Sequence, residues 1–154
     1  MSPRAACRLD TLGFAEVYDY VPGKADWLGH GLPVEGEHAD APVVGRLARD
    51  DVVTCRLDEP VAEVAARVER SPYGFALVTT EGRILLGRLR ASAMAEARDE
   101  VAESVMEPGP STVRPDMLAA ELAQRLAKRN LRTAIVSTPE GRLLGVVRAS
   151  DLSS

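Results

Sequence analysis

Leu143-Leu144-Gly145-Val146-Val147-Arg148-Ala149-Ser150 repeats, 58 positions on, the stretch Leu85-Leu86-Gly87-Arg88-Leu89-Arg90-Ala91-Ser92. The same offset pairs Val53-Thr54-Cys55-Arg56-Leu57-Asp58 with Ser111-Thr112-Val113-Arg114-Pro115-Asp116. It also pairs Ala62-Glu63-Val64-Ala65-Ala66-Arg67 with Ala120-Glu121-Leu122-Ala123-Gln124-Arg125. Between 53–94 and 111–152, sixteen of 42 paired positions are identical, and one compensating gap in a turn improves the match. Many other pairs exchange one apolar residue for another. One supersecondary unit is therefore used twice. Two copies are too few for a solenoid; they make a pseudo-twofold pair that closes a core and shares a cleft.

Each copy has the same grammar. A short extended piece, Asp51–Cys55 or Ser111–Val113, leads to a helix. Val61, Val64, Ala65 and Val68 follow i, i+3, i+4, i+7, and Leu118, Leu122 and Leu126 recur every four residues, so each helix buries one face. Asp58 and Asp116 stand just ahead, where a carboxylate caps free backbone N–H groups. Two strands follow around a tight turn: Phe75–Thr80 and Ile84–Arg90 flank Glu81-Gly82-Arg83, and Thr133–Thr138 and Leu143–Arg148 flank Pro139-Glu140-Gly141-Arg142. Glycine is expected to supply the positive φ in each turn. A last helix is expected over Ala91–Met106, with Met94, Val101 and Val105 left for a partner, hence a homodimer; in the second copy it is clipped at Ser154. Glu107-Pro108-Gly109-Pro110 separates the copies. The unit is β-α-β-β-α and the class α+β. The chain divides into a tail and linker at 1–42, a first motif at 43–106 and a second at 107–154.

Composition narrows the function. Of 154 residues, 45% are hydrophobic and 27% charged, which is globular. The net charge of −4 speaks against binding nucleic acid through a broad basic surface. No apolar run nears the roughly 20 residues of a membrane span, and Met1-Ser2-Pro3-Arg4 does not open a signal segment. Cys7 and Cys55 form no C-x-x-C pair, and a cytoplasmic chain with reduced thiols is expected. With only His30 and His38, a metal site or a Ser-His-Asp triad has little material. Gly23-Lys24 lacks the flanking residues of a P-loop, and Asp50-Asp51 and Asp58-Glu59 read as solvated turns or caps. A non-catalytic protein is expected.

Residues 44–152 resemble a tandem pair of CBS domains. The second copy carries the fuller signature, for Gly145-Val146-Val147-Arg148-Ala149-Ser150-Asp151 is similar to the family's Gly-apolar-apolar-Thr/Ser-x-x-Asp ending. The resemblance implies an adenosine nucleotide in a cleft between the motifs, its ribose hydroxyls held by Asp151. It also implies Thr112 and Val113 lining that cleft, with Ala134 near the adenine. Two departures stand out: Arg148 replaces the hydroxyl residue, and in the first copy Arg90 makes the same replacement while Ala93 replaces the aspartate. Arginine is a planar fork of donors suited to phosphate oxygens, so direct charge contact would offset the lost hydroxyl. Asp151 equally suits a helix N-cap, Arg148 a solvated strand end, and Thr112, Val113 and Ala134 plain packing.

The tail resembles the last third of a rhodanese domain, over about 2–36. The likeness rests on Ser2-Pro3-Arg4-Ala5-Ala6, Leu12-Gly13-Phe14-Ala15-Glu16-Val17-Tyr18, Gly23-Lys24-Ala25-Asp26-Trp27 and Gly31-Leu32-Pro33. Cys7 falls on the helix after the place of that family's catalytic loop, and reads as a packed small residue. The tail reads as a helix over Ala5–Leu12 ending at Gly13, a strand at Glu16–Tyr20 and a short helix at Lys24–Gly29, either folded against the repeats or partly disordered; burying Phe14, Tyr18, Tyr20 and Trp27 would be worth several kcal/mol.

Three functions follow. The first is a regulatory module binding AMP, ADP, ATP or S-adenosylmethionine near Asp151, Arg148 and, in the other copy, Arg90. The second is a structural, dimerising module with no ligand. The third is a protein derived from a sulfurtransferase.

Overall fold

A computed structural model describes residues 8–17 and 41–152, together with Gly23, Trp27, Leu32, Pro33 and Glu35. In chain order the elements are α1 (Val44–Leu47), β1 (Thr54–Cys55), α2 (Val61–Val68), β2 (Phe75–Thr79), β3 (Leu85–Arg90), α3 (Ala91–Glu96), α4 (Ala102–Val105), β4 (Glu107–Pro108), β5 (Thr112–Val113), α5 (Ala119–Arg129), β6 (Thr133–Ser137), β7 (Leu143–Arg148) and a 3-10 turn (Ala149–Leu152). They form an α+β fold with one sheet per copy, ordered β1-β2-β3-β4 and β5-β6-β7.

The 58-residue offset holds in the ladders. Thr54 pairs with Leu77 and Thr112 with Ile135, both in parallel; Phe75 pairs with Arg90 and Thr133 with Arg148, both antiparallel. Even the register slip recurs, after Val78 and after Val136. Side-chain alternation explains the layering. On β2, Ala76 and Val78 face Val61, Val64, Ala65 and Val68 of α2, and on β6, Ala134 and Val136 face Leu122 and Leu126 of α5. The intervening residues, Leu77 and Ile135, join Val52, Tyr73, Leu143 and Val146 in a third cluster between the sheets. Helices thus lie outside and two sheets lie back to back. The pseudo-twofold axis passes where Ile84 bridges its own equivalent, Arg142; around it Leu85 N donates to Gly141 O and Leu143 N to Arg83 O.

The copies also exchange segments. Val61 N donates to Glu100 O and Ala102 N to Glu59 O; at the same offset, Ala119 N donates to Pro42 O and Val44 N to Met117 O. So α1, which precedes the first copy in sequence, packs on the core of the second, and α4, which precedes the second, packs on the first.

Several expectations need correcting. The helix over Ala91–Met106 is two short helices, broken between Glu96 and Ala102. Met94 is buried in the first core and so is not free for a partner, whereas Val101 is exposed. Asp58 and Asp116 cap nothing: the N-cap positions are Pro60 and Leu118, without side-chain cap bonds, and the helix starts are met by the exchanged carbonyls instead. In the first turn the positive φ falls on Arg83 (62°), not Gly82; its equivalent in the second is Gly141 (86°). In the tail, residues 8–11 are helical and Gly13 has φ +92°, as a terminating glycine should. Phe14 is exposed, so its burial does not contribute, and Trp27 Nε1 donates to Pro33 O. Cys7, His30, His38, Tyr18, Tyr20 and most of the rhodanese-like stretch lie outside the described residues.

Candidate functional site

In each copy the second hairpin strand runs into a helical turn, and charged side chains converge at that junction. In the second copy β7 ends at Arg148 and the following 3-10 turn carries Asp151. The Asp151 side chain is only 17% exposed, and Arg49 covers it. Arg49 Nη2 donates to Oδ1 at 3.1 Å, and Nε lies 3.0 Å from Oδ2. The backbone of Arg49 is pinned to β7: Arg49 N donates to Val146 O and Val146 N to Arg49 O, each at 2.9 Å. Gly145 allows this approach. It has φ +147°, and a Cβ there would lie far inside contact distance of the Arg49 carbonyl.

The Arg148 guanidinium stacks 4.7 Å over the Tyr73 ring and sets Nη2 3.5 Å from Asp51 Oδ2. The Tyr73 hydroxyl donates to Asp51 Oδ1 at 2.5 Å. Burial, reinforced by that bond, pushes the phenol above its ordinary pKa, so Tyr73 stays a neutral donor at neutral pH. Arg148 Nε is buried and finds no hydrogen-bond acceptor among the described residues, although buried donors are normally satisfied.

The first copy is furnished differently. Arg90 stands where Arg148 stands, and Ala93 where Asp151 stands. Arg90 Nε donates to Glu107 Oε1 at 2.6 Å, and Arg88 Nη2 to Glu107 Oε2 at 2.7 Å. Those bonds, Arg88 first and Arg90 next, hold the Glu107 carboxyl below the usual carboxylate range. Beside them is an open cleft of about 290 Å³ lined by Gly74, Phe75, Arg88, Arg90, Ala91 and Ser92. Glu107 occupies the place that Arg49 takes in the second copy, with opposite charge.

Of the residues singled out from the sequence, Arg148 and Asp151 come together at the second junction. Arg90 belongs to the first, with Glu107 as its partner. Thr112 lies two residues along the sheet from the Thr133–Arg148 pair, is exposed, and accepts from Ser137 Oγ at 2.9 Å. Val113 and Ala134 are buried among Leu122, Val136 and Val147, which is packing. Arg49, Asp51, Tyr73 and Glu107 were not anticipated. Extending the repeat upstream through the identical pair Val43 and Val101 would have set Arg49 opposite Glu107.

A CBS domain model matches residues 44–100 and again 101–154. The chain belongs to the CBS domain family and carries a tandem pair. No curated protein sequence matches it. Among solved structures it is similar to the cytosolic domain of the Mg²⁺ channel MgtE in complex with ATP, at 25% identity and a TM-score of 0.64, covering 75% of this chain and 50% of that one. It therefore spans half the length of that relative. It is also similar to the CBS domain pair of MJ0100 in complex with 5'-methylthioadenosine and S-adenosyl-L-methionine (19%, TM-score 0.60, 73% and 94%). A third similar structure is CBSX2, known from Arabidopsis thaliana, in complex with AMP (16%, TM-score 0.62, 72% and 93%). Neither family match reaches the rhodanese-like stretch. Among the described residues no helix is long and apolar enough to cross a membrane.

Proposed function

We propose that this CBS pair is a non-catalytic regulatory module that binds an adenosine-type nucleotide at the second junction. Asp151 accepts hydrogen bonds from the ribose hydroxyls, Arg148 meets phosphate, and Thr112 stands at the rim with Val113 and Ala134 behind it. The observation that carries this reading is the state of Asp151: a sheltered carboxylate whose ion-pair partner among the described residues is a guanidinium that is itself half in solvent. A carboxylate can accept from both hydroxyls of a cis-diol, at about 1.5–3 kcal/mol for a bond to a charged group. The adenosine compounds bound by three similar structures support the same class of ligand. Ligand binding would favour one arrangement of the two copies by its differential affinity for it.

One observation favours a purely structural module instead: Arg49, Arg148, Arg90 and Asp151 all have internal partners. A thermal-shift series separates the two readings. A site filled at about a hundred times its Kd adds about 2.7 kcal/mol, which should raise the melting temperature by roughly 5–10 °C. If AMP, ADP, ATP and S-adenosylmethionine at millimolar concentration all leave the melt unmoved, the pair is structural. If Asp151→Ala keeps the full shift, the ligand sits elsewhere.

A further inference from the structure

We infer that Arg49 sets the ligand preference of the second junction, by releasing Asp151 and turning to phosphate when a nucleotide enters. The inference rests on the nucleotide reading of that junction. Its basis is a contrast between a fixed backbone and a loose side chain. The Arg49 main chain is held by the reciprocal bonds to Val146 and by the close approach at Gly145. Its side chain is 51% exposed and, among the described residues, is held by the Asp151 pair alone. The carboxylate that a ribose needs is therefore already taken, and a ligand must displace the guanidinium.

Displacement costs little at the Arg49 end, which is half in solvent, while the sheltered Asp151 carboxylate exchanges the guanidinium for the ribose hydroxyls and is not left unpaired. What the guanidinium gains afterwards depends on the ligand. Adenosine offers no anion, so Arg49 loses its partner and gains nothing. A nucleotide brings phosphate oxygens that fit the planar donor fork. Arg148 is the less adaptable cation, since Tyr73 and Asp51 engage it from the other side. The four charged groups that pair at the junction, Arg49, Arg148, Asp51 and Asp151, sum to zero, so the added negative charge of phosphate meets a balanced site with one movable cation. The first copy has no such exchange, because Glu107 holds the equivalent place and would repel phosphate.

The test is calorimetric titration of the full chain with adenosine and with ATP, for wild type, Arg49→Gln and Arg49→Lys. Arg49→Gln should tighten adenosine by up to about fivefold and weaken ATP by at least about tenfold, collapsing the preference for ATP. Arg49→Lys, which keeps the charge, should retain part of that preference; it also serves if Arg49→Gln fails to fold. Binding with an ATP-to-adenosine ratio in the variants within twofold of wild type overturns the inference alone. Binding of neither ligand by any of the proteins overturns the nucleotide reading, and the inference with it.

Discussion

The two copies share a backbone and differ in charge. Ladder pairs, bulges, exchanged segments and the core positions between helix and sheet match at one offset, whereas Tyr73 and Val146, buried between the sheets, answer Leu131 and Arg88, which are not. At the junctions, by contrast, Glu107 stands opposite Arg90 in one copy, and Arg49 opposite Asp151 in the other. The reason is energetic. Positions buried between helix and sheet cannot change without a cavity or a clash. Most junction side chains keep their charged ends partly in solvent, so changing them costs the fold less and changes what the junction attracts. Conservatism of the core and divergence of the clefts are two consequences of one burial pattern.

The sharpest way to break this equivalence is at the paired glycines. Gly145→Ala should cost about 3 kcal/mol or more, because the new Cβ meets the Arg49 backbone at a φ that L-residues avoid. Gly87→Ala should cost less, about 1–2 kcal/mol, because its Cβ meets only side-chain atoms of Met106, from Cβ to Sδ, and that side chain can partly turn aside. Urea denaturation of both variants checks the difference; equal costs would mean the approach of Arg49 does not constrain the second copy.

A second difference lies in the cores. Cys55 stands where Val113 stands, and burial pushes its thiol up to about 12. The folded protein keeps that proton while an unfolded thiol releases it from about pH 9 upward. Stability from this group is therefore fully present below pH 9 and declines as pH rises towards 12. Tyr73, raised in the same sense, adds to the decline. Cys55→Val, which copies the second repeat, should remove the thiol's share of the slope, read from denaturation midpoints between pH 8 and 11. At pH 8 Cys55 should also resist maleimide until the protein unfolds, as peptide mapping would show.

The smallest effect is expected at the turns. Gly141→Ala should cost about 1 kcal/mol through its left-handed φ. Arg83→Gly should relieve similar strain in the first copy and lose the ion pair to Asp50, leaving stability nearly unchanged.

Much of this was legible in the sequence because it is written in apolar alternation: both hairpins, both long helices and most of their buried faces, although Leu118 proves to be an exposed N-cap residue and not part of the second helix's buried face. The exchange of α1 and α4 was not, because main-chain bonds make it, and between 43–47 and 101–105 only Val43 and Val101 match. The break after Glu96 was hidden because the helical spacing of apolar residues runs through it. At the candidate site, Arg148 and Asp151 were found from the strand ending, but Arg49 lies 102 residues from its partner. Tyr73 read as loop because its segment carries Ser71, Pro72 and Gly74; only packing between the sheets reveals it as buried.

The central claim is that one of two equivalent junctions takes the nucleotide. Titrating ATP into the full chain and into Asp151→Ala tests it most directly. The account predicts one equivalent bound per chain, with affinity at least about tenfold weaker in the variant. Two equivalent sites per chain, no heat at millimolar ATP, or unchanged affinity in Asp151→Ala would contradict it.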